Sequence, residues 1–174
     1  MAKKSKKSLV AMLLVFLAFA AAVAVALLPL GSGLHFTYKG ILTGTTEADV
    51  KGFDYIFGVK NSNGDYTTEI VPALLVAWIL ALGAGVCALL GLFGFASKKK
   101  IVGKASSALS GLLLIVAGVL FFFTVQFVGA EGSTFAYNGT TLADAKFSLG
   151  LGHLFAGLIG CVGGILGIGA AVAK

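Results

Sequence analysis

The chain has 174 residues, of which 58% are hydrophobic and only 11% are charged, and its formal net charge is +6. A soluble domain normally carries about 25% charged residues, so this composition excludes an ordinary soluble domain. All 13 basic residues are lysines. Because arginine is the usual partner of phosphate groups, its absence weakens any assignment to nucleotide chemistry, and no nucleic-acid partner is expected.

Four long apolar runs contain no Lys, Arg, Asp or Glu. They are residues 8–30, 71–96, 107–128 and 148–173. A hydrocarbon core of about 30 Å needs roughly 20 helical residues, so each run can span it. The runs are continuous and do not alternate, which favours helices over barrel strands. The sequence therefore predicts one membrane domain, residues 1–174, of the all-α class: a four-transmembrane-helix bundle.

The first run follows Lys3, Lys4, Lys6 and Lys7, a pattern that also occurs at the start of secretory signal peptides. The apolar part of a signal peptide is about 7–15 residues long. The first run is 23 residues long. We therefore predict a retained transmembrane helix.

The lysines indicate how the bundle lies in the membrane, because positive charge is retained on the cytoplasmic side. With both termini inside, nine lysines fall in the inner segments and four in the outer ones, and all seven acidic residues fall outside. The inner lysines should lie against anionic lipid headgroups. We expect a multi-pass protein of the cell membrane with cytoplasmic termini and the lipid bilayer as its first partner.

The outer segments, residues 31–70 and 129–147, carry strand and hairpin patterns. Phe53, Tyr55 and Phe57 lie on one side of a period-2 alternation that predicts a half-buried strand. Asn63-Gly64 then predicts a tight turn into a returning strand at residues 66–70. Pro72 suits the first turn of the second helix.

The second outer segment repeats these signals. Residues 134–137 and 140–142 flank Asn138-Gly139, and residues 35–38 form a further candidate strand. A lone hairpin is marginal in water, so we expect both outer loops to build one small antiparallel extracellular β-sheet. Residues 36–40 also resemble residues 135–139, which is explained either by a duplicated two-helix unit or by chance.

Few residues could take part in catalysis or bind a metal or cofactor. His153 lies near the outer end of the fourth helix and Gln126 near that of the third, so we predict that His153 fixes the bundle by a hydrogen bond either to Gln126 or to the backbone. Cys87 and Cys161 lie deep in helices, outside any CxxC pattern, and should pack as small hydrophobes. With His35 as the only other histidine, no metal site or cofactor is expected.

The fourth helix is rich in small residues, which allow close helix approach in lipid. Two GxxxG pairs are formed by Gly160 with Gly164 and by Gly163 with Gly167. These glycines serve either packing within the bundle or association with a second copy or another membrane protein.

The layout of four helices, a long strand-rich first outer segment, a short basic inner loop and a smaller second outer segment resembles that of the claudin and peripheral myelin protein superfamily. The resemblance implies a four-helix bundle under one antiparallel sheet. It is one of layout, since residues 31–70 contain neither Trp nor Cys and lack the family's Trp…Gly-Leu-Trp…Cys…Cys motif. The lysine-only basic set resembles a bacterial four-span membrane protein.

Three function classes remain open. The first is a non-enzymatic tetraspan protein that mediates assembly through its outer sheet and its glycine-rich helix faces. The second is a channel or transport subunit for a neutral or apolar solute, with His153 and Gln126 at its mouth. The third, a haem or metal protein, depends only on His35 and His153.

Overall fold

The computed structural model describes residues 2–40, 44–60, 66–68, 70–130, 135–137, 140–142 and 146–173. In chain order, its elements are α1 (Ala2–Leu27), a 3-10 turn (Leu28–Leu30), β1 (Ser32–Gly40), β2 (Gly44–Lys51), α2 (Gly52–Phe57), β3 (Val59–Lys60), β4 (Tyr66–Thr68), α3 (Pro72–Ala96), α4 (Lys100–Phe122), α5 (Thr124–Ala130), β5 (Phe135–Tyr137), β6 (Thr140–Leu142), β7 (Lys146–Leu149) and α6 (Leu151–Val172).

Four segments are long and apolar enough to cross a membrane, which confirms the four predicted helices. They are Leu9–Leu30, Pro72–Ala96, Lys100–Phe122 and Leu151–Val172. Pro72 stands in the first turn of α3, as predicted, because its missing N–H would have no partner within the helix there.

Several helix boundaries differ from the prediction. The first helix spans Ala2–Leu27 instead of residues 8–30, and the third begins at Lys100 instead of residue 107. The third helix ends at Phe122 instead of residue 128, and the separate helix α5 follows. At this break the Thr124 hydroxyl donates to the carbonyl of Phe121 at 2.7 Å, a local bond that competes with the helical ladder. The fourth helix begins at Leu151 instead of residue 148, because Ser148 and Leu149 are paired within β7.

The four long helices form a ring in which α1 and α4 lie diagonally opposite. Each of these two packs against both α3 and α6. The buried positions of α6 are all Gly or Ala, with the single exception of His153, whereas Phe155, Val162 and Ile165 are exposed. Small residues inside and large apolar residues outside are typical of helices that associate in lipid.

A three-stranded antiparallel sheet, in the order β2-β1-β7, covers one end of the bundle. It joins the two outer segments, since β1 comes from the first and β7 from the second. Leu34, Phe36 and Val50 are buried on its inner side. The expectation that both segments share one sheet is confirmed for β1, β2 and β7, and so is the strand predicted at residues 35–38. The pairs β3-β4 and β5-β6 form separate two-stranded sheets, so the prediction of a single sheet holds only in part.

The strand predicted through residues 53–57 is wrong, because α2 occupies these residues. Tyr55 and Ile56 are buried on one side of this short helix, and Phe53 contacts Phe57 one turn away. The same apolar positions satisfy a helical period over so short a stretch. Gly58 ends the helix with a φ of 72°, a conformation that glycine adopts without steric cost.

Two further hairpins agree with the predicted pairings. In the first, β3 pairs with β4 through Val59 and Thr68, and in the second, β5 pairs with β6 through Ala136 and Thr141. The turns predicted at Asn63-Gly64 and Asn138-Gly139 lie outside the described residues.

Candidate functional site

Three aromatic rings form a ridge where α2 meets α3. This aromatic ridge consists of Phe53, Phe57 and Trp78. Phe57 lies 5.5 Å from Phe53 and 5.1 Å from Trp78 between ring centroids, and Phe53 lies 6.2 Å from Trp78. All three pairs are edge-to-face, the arrangement that the ring quadrupoles favour. The ridge is therefore a packed unit and not a set of loose side chains.

The aromatic ridge is held from beneath and presents one ring to the surroundings. The indole N–H of Trp78 donates to the carbonyl of Ala26 at 3.0 Å, which ties α3 to α1. The backbone N–H of Val71 donates to the carbonyl of Tyr55 at 2.8 Å, which ties α3 to α2. Phe57 is 47% exposed. A fixed aromatic ring at a surface is well suited to contact another molecule at low entropic cost.

The three residues predicted as outer contacts therefore differ in their accessibility. Phe57 is exposed, Phe53 is half-buried and Tyr55 is buried. Tyr55 supports the ridge from inside, and Phe57 is the residue of this set that offers a surface.

A buried histidine lies directly below the sheet. His153 is completely enclosed, and its Nδ1 lies 2.9 Å from Oγ1 of Thr124. Its ring packs against Phe121, with 5.0 Å between the ring centroids. These contacts connect the start of α6 to the α4–α5 break.

Glycine backbones close over the other edge of this imidazole. A Cβ atom added at Gly33 would come within 2.9 Å of Cε1 of His153 and still closer to the backbone of Gly52. A Cβ atom added at Gly52 would come within 2.3 Å of Nε2 of His153. Among the described residues, none donates a hydrogen bond to Nε2. The imidazole thus fills the junction between bundle and sheet and leaves no room for a side chain at either glycine.

Gln126 takes no part in this cluster. It lies on α5 and is exposed. The predicted contact between Gln126 and His153 is therefore wrong, and Thr124 makes the contact with His153 instead.

The four glycines of the predicted GxxxG pairs all lie between helices of this chain. Cβ atoms at Gly160, Gly164 and Gly167 would come within 3.0 Å of atoms of α4, and one at Gly163 would come within 2.3 Å of Cβ of Ala21. Their surfaces are covered by packing inside the bundle. So close an approach of α4 and α6 also leaves no lumen for a solute between these two helices.

The outward side of the three-stranded sheet carries a polar cluster. His35 Nδ1 lies 3.1 Å from Oδ1 of Asp49, and the Ser32 hydroxyl donates to the same oxygen at 2.9 Å. The serine thus bonds the carboxylate and not the imidazole, so the cluster lacks the nucleophile–base contact of a catalytic triad. Since both partners are exposed, this ion pair adds little stability.

The described part of the chain has no cluster of side chains suited to metal or thiol chemistry. No group of three or more His, Cys, Asp or Glu side chains that could hold a metal occurs among those residues. Cys87 and Cys161 are free thiols on α3 and α6. Cys161 faces Gly118 of α4, where it contributes to helix packing.

Sequence reasoning missed Thr124, Gly33 and Gly52. A threonine inside an apolar run gives no signal of its own, and Gly33 and Gly52 stand among 25 glycines. The available signal was His153 itself, because a buried imidazole needs a hydrogen-bonding partner on a neighbouring element.

No family model matches the chain, and neither a curated protein nor a solved structure matches it. The resemblance to the claudin layout therefore stays one of layout. What can be stated is the class: four apolar helices of spanning length indicate a multi-pass membrane protein.

Proposed function

We propose that this chain is a non-enzymatic tetraspan protein of the cell membrane, with both termini in the cytoplasm and the sheet outside, and that its outer surface mediates assembly. The partner is a second copy of this chain or another membrane protein. No cofactor is part of this proposal.

The observation that carries the proposal is the aromatic ridge. Phe57 is exposed on a helix whose other side is anchored by Tyr55 and Ile56, and its ring is braced by Phe53 and Trp78. Rigid aromatic residues are enriched at interfaces, where they dominate binding energy. The glycine faces of α6 are already occupied within the bundle, so the proposal assigns assembly to the ridge alone.

A second copy is the first partner that we propose. Two-fold interfaces bring the same patch of both subunits together, so the exposed Phe57 ring of each subunit would pack against the aromatic ridge of the other. Two opposed ridges would bury Phe57 of each subunit in one apolar cluster.

The proposed orientation in the membrane depends on the distribution of charged residues between the two ends of the bundle. The lysine-rich loop at residues 98–104 and the lysines at residues 3–7 belong to one end of the bundle, and the acidic residues that the structure describes, Glu47, Asp49 and Asp54, lie at the other end. This asymmetry supports cytoplasmic termini.

Cysteine crosslinking in native membranes tests the proposal. In a Cys87→Ala/Cys161→Ala background, Phe57→Cys should form a disulfide-linked dimer on mild oxidation. Phe123→Cys is the matched control, because Phe123 is an aromatic residue of the same exposure, 48%, at the junction of α4 and α5. It should remain monomeric.

A benzophenone maleimide on the same two cysteines covers the other partner. A single membrane protein that is attached at position 57, is identified by its mass and is displaced by unlabelled copies of itself would show that the assembly is heteromeric and not a homodimer. Absence of any adduct at position 57, or equal adducts at both positions, contradicts the proposal.

A further inference from the structure

An open hollow lies at the opposite end of the bundle from the sheet, where α3 turns into α4. Lys98, Lys99, Lys100, Ile101 and Val102 line it, and its volume is about 480 Å³. Three residues, 97–99, connect the two helices. The hollow therefore lies within one helical turn of two segments that can span a membrane.

No acidic side chain in the described part of the chain compensates the charge of this hollow. Its three consecutive lysines are exposed. No Asp or Glu occurs between residues 70 and 130, before residue 47 or after residue 144. The acidic residues that the structure describes, Glu47, Asp49 and Asp54, lie at the sheet end. Three adjacent ammonium groups without a carboxylate favour an anion from outside the chain.

Apolar side chains stand beside these lysines. Ile101 is 86% exposed, Phe93 is 67% exposed, and Val102 is exposed as well. Exposed large apolar residues next to a cation cluster make an amphipathic surface. Such a surface fits a ligand that has an anionic head and a hydrocarbon tail.

The backbone at Lys98 adopts a conformation that glycine favours. Lys98 has a φ of 59°, in the left-handed region, where glycine is the favoured residue after a helix. The chain contains 25 glycines, yet a lysine occupies this turn. A Lys98→Gly variant should therefore relieve the backbone and remove one charge at the same time.

We propose that this hollow binds an anionic glycerophospholipid. The lysines 98–100 contact its phosphate group, and Ile101 and Val102 contact its acyl chain. The inference rests on the proposed membrane placement, but not on assembly through the aromatic ridge. A free phosphate ion would share the lysines and gain nothing from the apolar wall, so the exposed apolar residues favour the lipid.

Native mass spectrometry of the full chain in mild detergent tests the site. Phosphatidylglycerol and phosphatidylcholine with identical acyl chains are titrated against the protein. The wild type should retain one phosphatidylglycerol at least tenfold more tightly than phosphatidylcholine. Each lysine near an anionic surface contributes about fivefold in affinity, so a Lys98→Gln/Lys99→Gln/Lys100→Gln variant should lose roughly 100-fold.

Lys98→Gly separates folding from binding. We expect its melting temperature in detergent to rise slightly, because the left-handed turn is relieved, while its affinity for phosphatidylglycerol falls about fivefold. A structural defect would lower both quantities. Lys146→Gln, an exposed lysine in β7 at the sheet end, is the charge-matched control and should bind as the wild type does.

Three results would overturn the proposal. They are equal affinity for the two lipids, an equal loss of affinity in Lys146→Gln and Lys98→Gly, and displacement of the lipid by 10 mM inorganic phosphate, which would indicate a simple anion site of about millimolar affinity. Crosslinking at position 57 in the triple lysine variant distinguishes the two proposals. If the dimer forms there, and the chain with its lysines intact shows no lipid preference, only the lipid site falls.

Discussion

Nδ1 of His153 lies 2.9 Å from Oγ1 of Thr124, and this contact defines the protonation of the imidazole. The Thr124 hydroxyl has one proton, which it donates to the carbonyl of Phe121 at 2.7 Å. The hydrogen bond to the histidine must therefore run from Nδ1–H to the hydroxyl oxygen. Nε2 is left as an acceptor beside Gly52.

Thr124→Val should lower the free energy of unfolding by about 1–3 kcal/mol, because Nδ1–H would be left buried without an acceptor. Thr124→Ser keeps the hydroxyl and should retain most of that stability. Reversible unfolding in mixed micelles measures both variants. If valine and serine cost the same, the methyl contact and not the hydrogen bond is what stabilises the site.

Gly52→Ala should destabilise the junction by about 3 kcal/mol, since its Cβ would overlap Nε2 of His153 and lie 2.9 Å from the carbonyl oxygen of Pro29. Gly83→Ala is the control, because its Cβ would meet only Cδ1 of Leu113 at 3.7 Å. That substitution lies inside α3 and should be neutral or stabilising by about 0.5–1 kcal/mol.

A double-mutant cycle then identifies the clash. Adding His153→Ala to Gly52→Ala should recover part of the loss, so that the two changes cost less together than their sum. Additive costs would show that the imidazole is not what excludes a side chain at position 52.

Gly164→Ala should cost about 1–3 kcal/mol in unfolding free energy, because its Cβ would meet Cγ1 of Ile115 and the carbonyl oxygen of Gly111 within α4. Gly169→Ala on the same helix would meet only Cδ1 of Leu14 at 3.9 Å and should be tolerated. Light scattering in detergent should find the same oligomeric state for both. A change of oligomer with unchanged stability would instead assign Gly164 to an interface between copies.

Cysteine labelling of intact cells tests the orientation. In the Cys87→Ala/Cys161→Ala background, Asp49→Cys should react with a membrane-impermeant maleimide, because Asp49 is exposed on the outward side of the sheet. Lys98→Cys, exposed at the other end of the bundle, should react only after permeabilisation. The reverse pattern would invert the proposed topology.

The long helices were predictable from composition. In lipid, an uncharged run such as residues 71–96 must satisfy its own backbone hydrogen bonds as a helix, and this located α3 within one residue. The shared sheet was predictable for a similar reason, because an isolated β1–β2 hairpin would be marginal.

Short segments were less predictable. Residues 53–57 satisfy both a strand and a helical period, and the choice depends on Trp78, which packs against Phe53 and Phe57 from 20 or more positions away in the sequence. The partner of His153 was predicted wrongly for a different reason. Thr124 lies seven residues after the buried Ala117 and Gln126 seven after the exposed Val119, so the helical period itself places Thr124 inward and Gln126 outward.

The pairing of β1 with β7 sets the order in which the molecule can be completed. Leu34 pairs with Leu149, so one edge of β1 stays open until residue 149 has been synthesised. An open edge is a template for wrong partners, and contacts of such sequence separation form slowly. Translation that stops between β2 and β7 would therefore leave a nascent chain whose central strand has one unpaired edge.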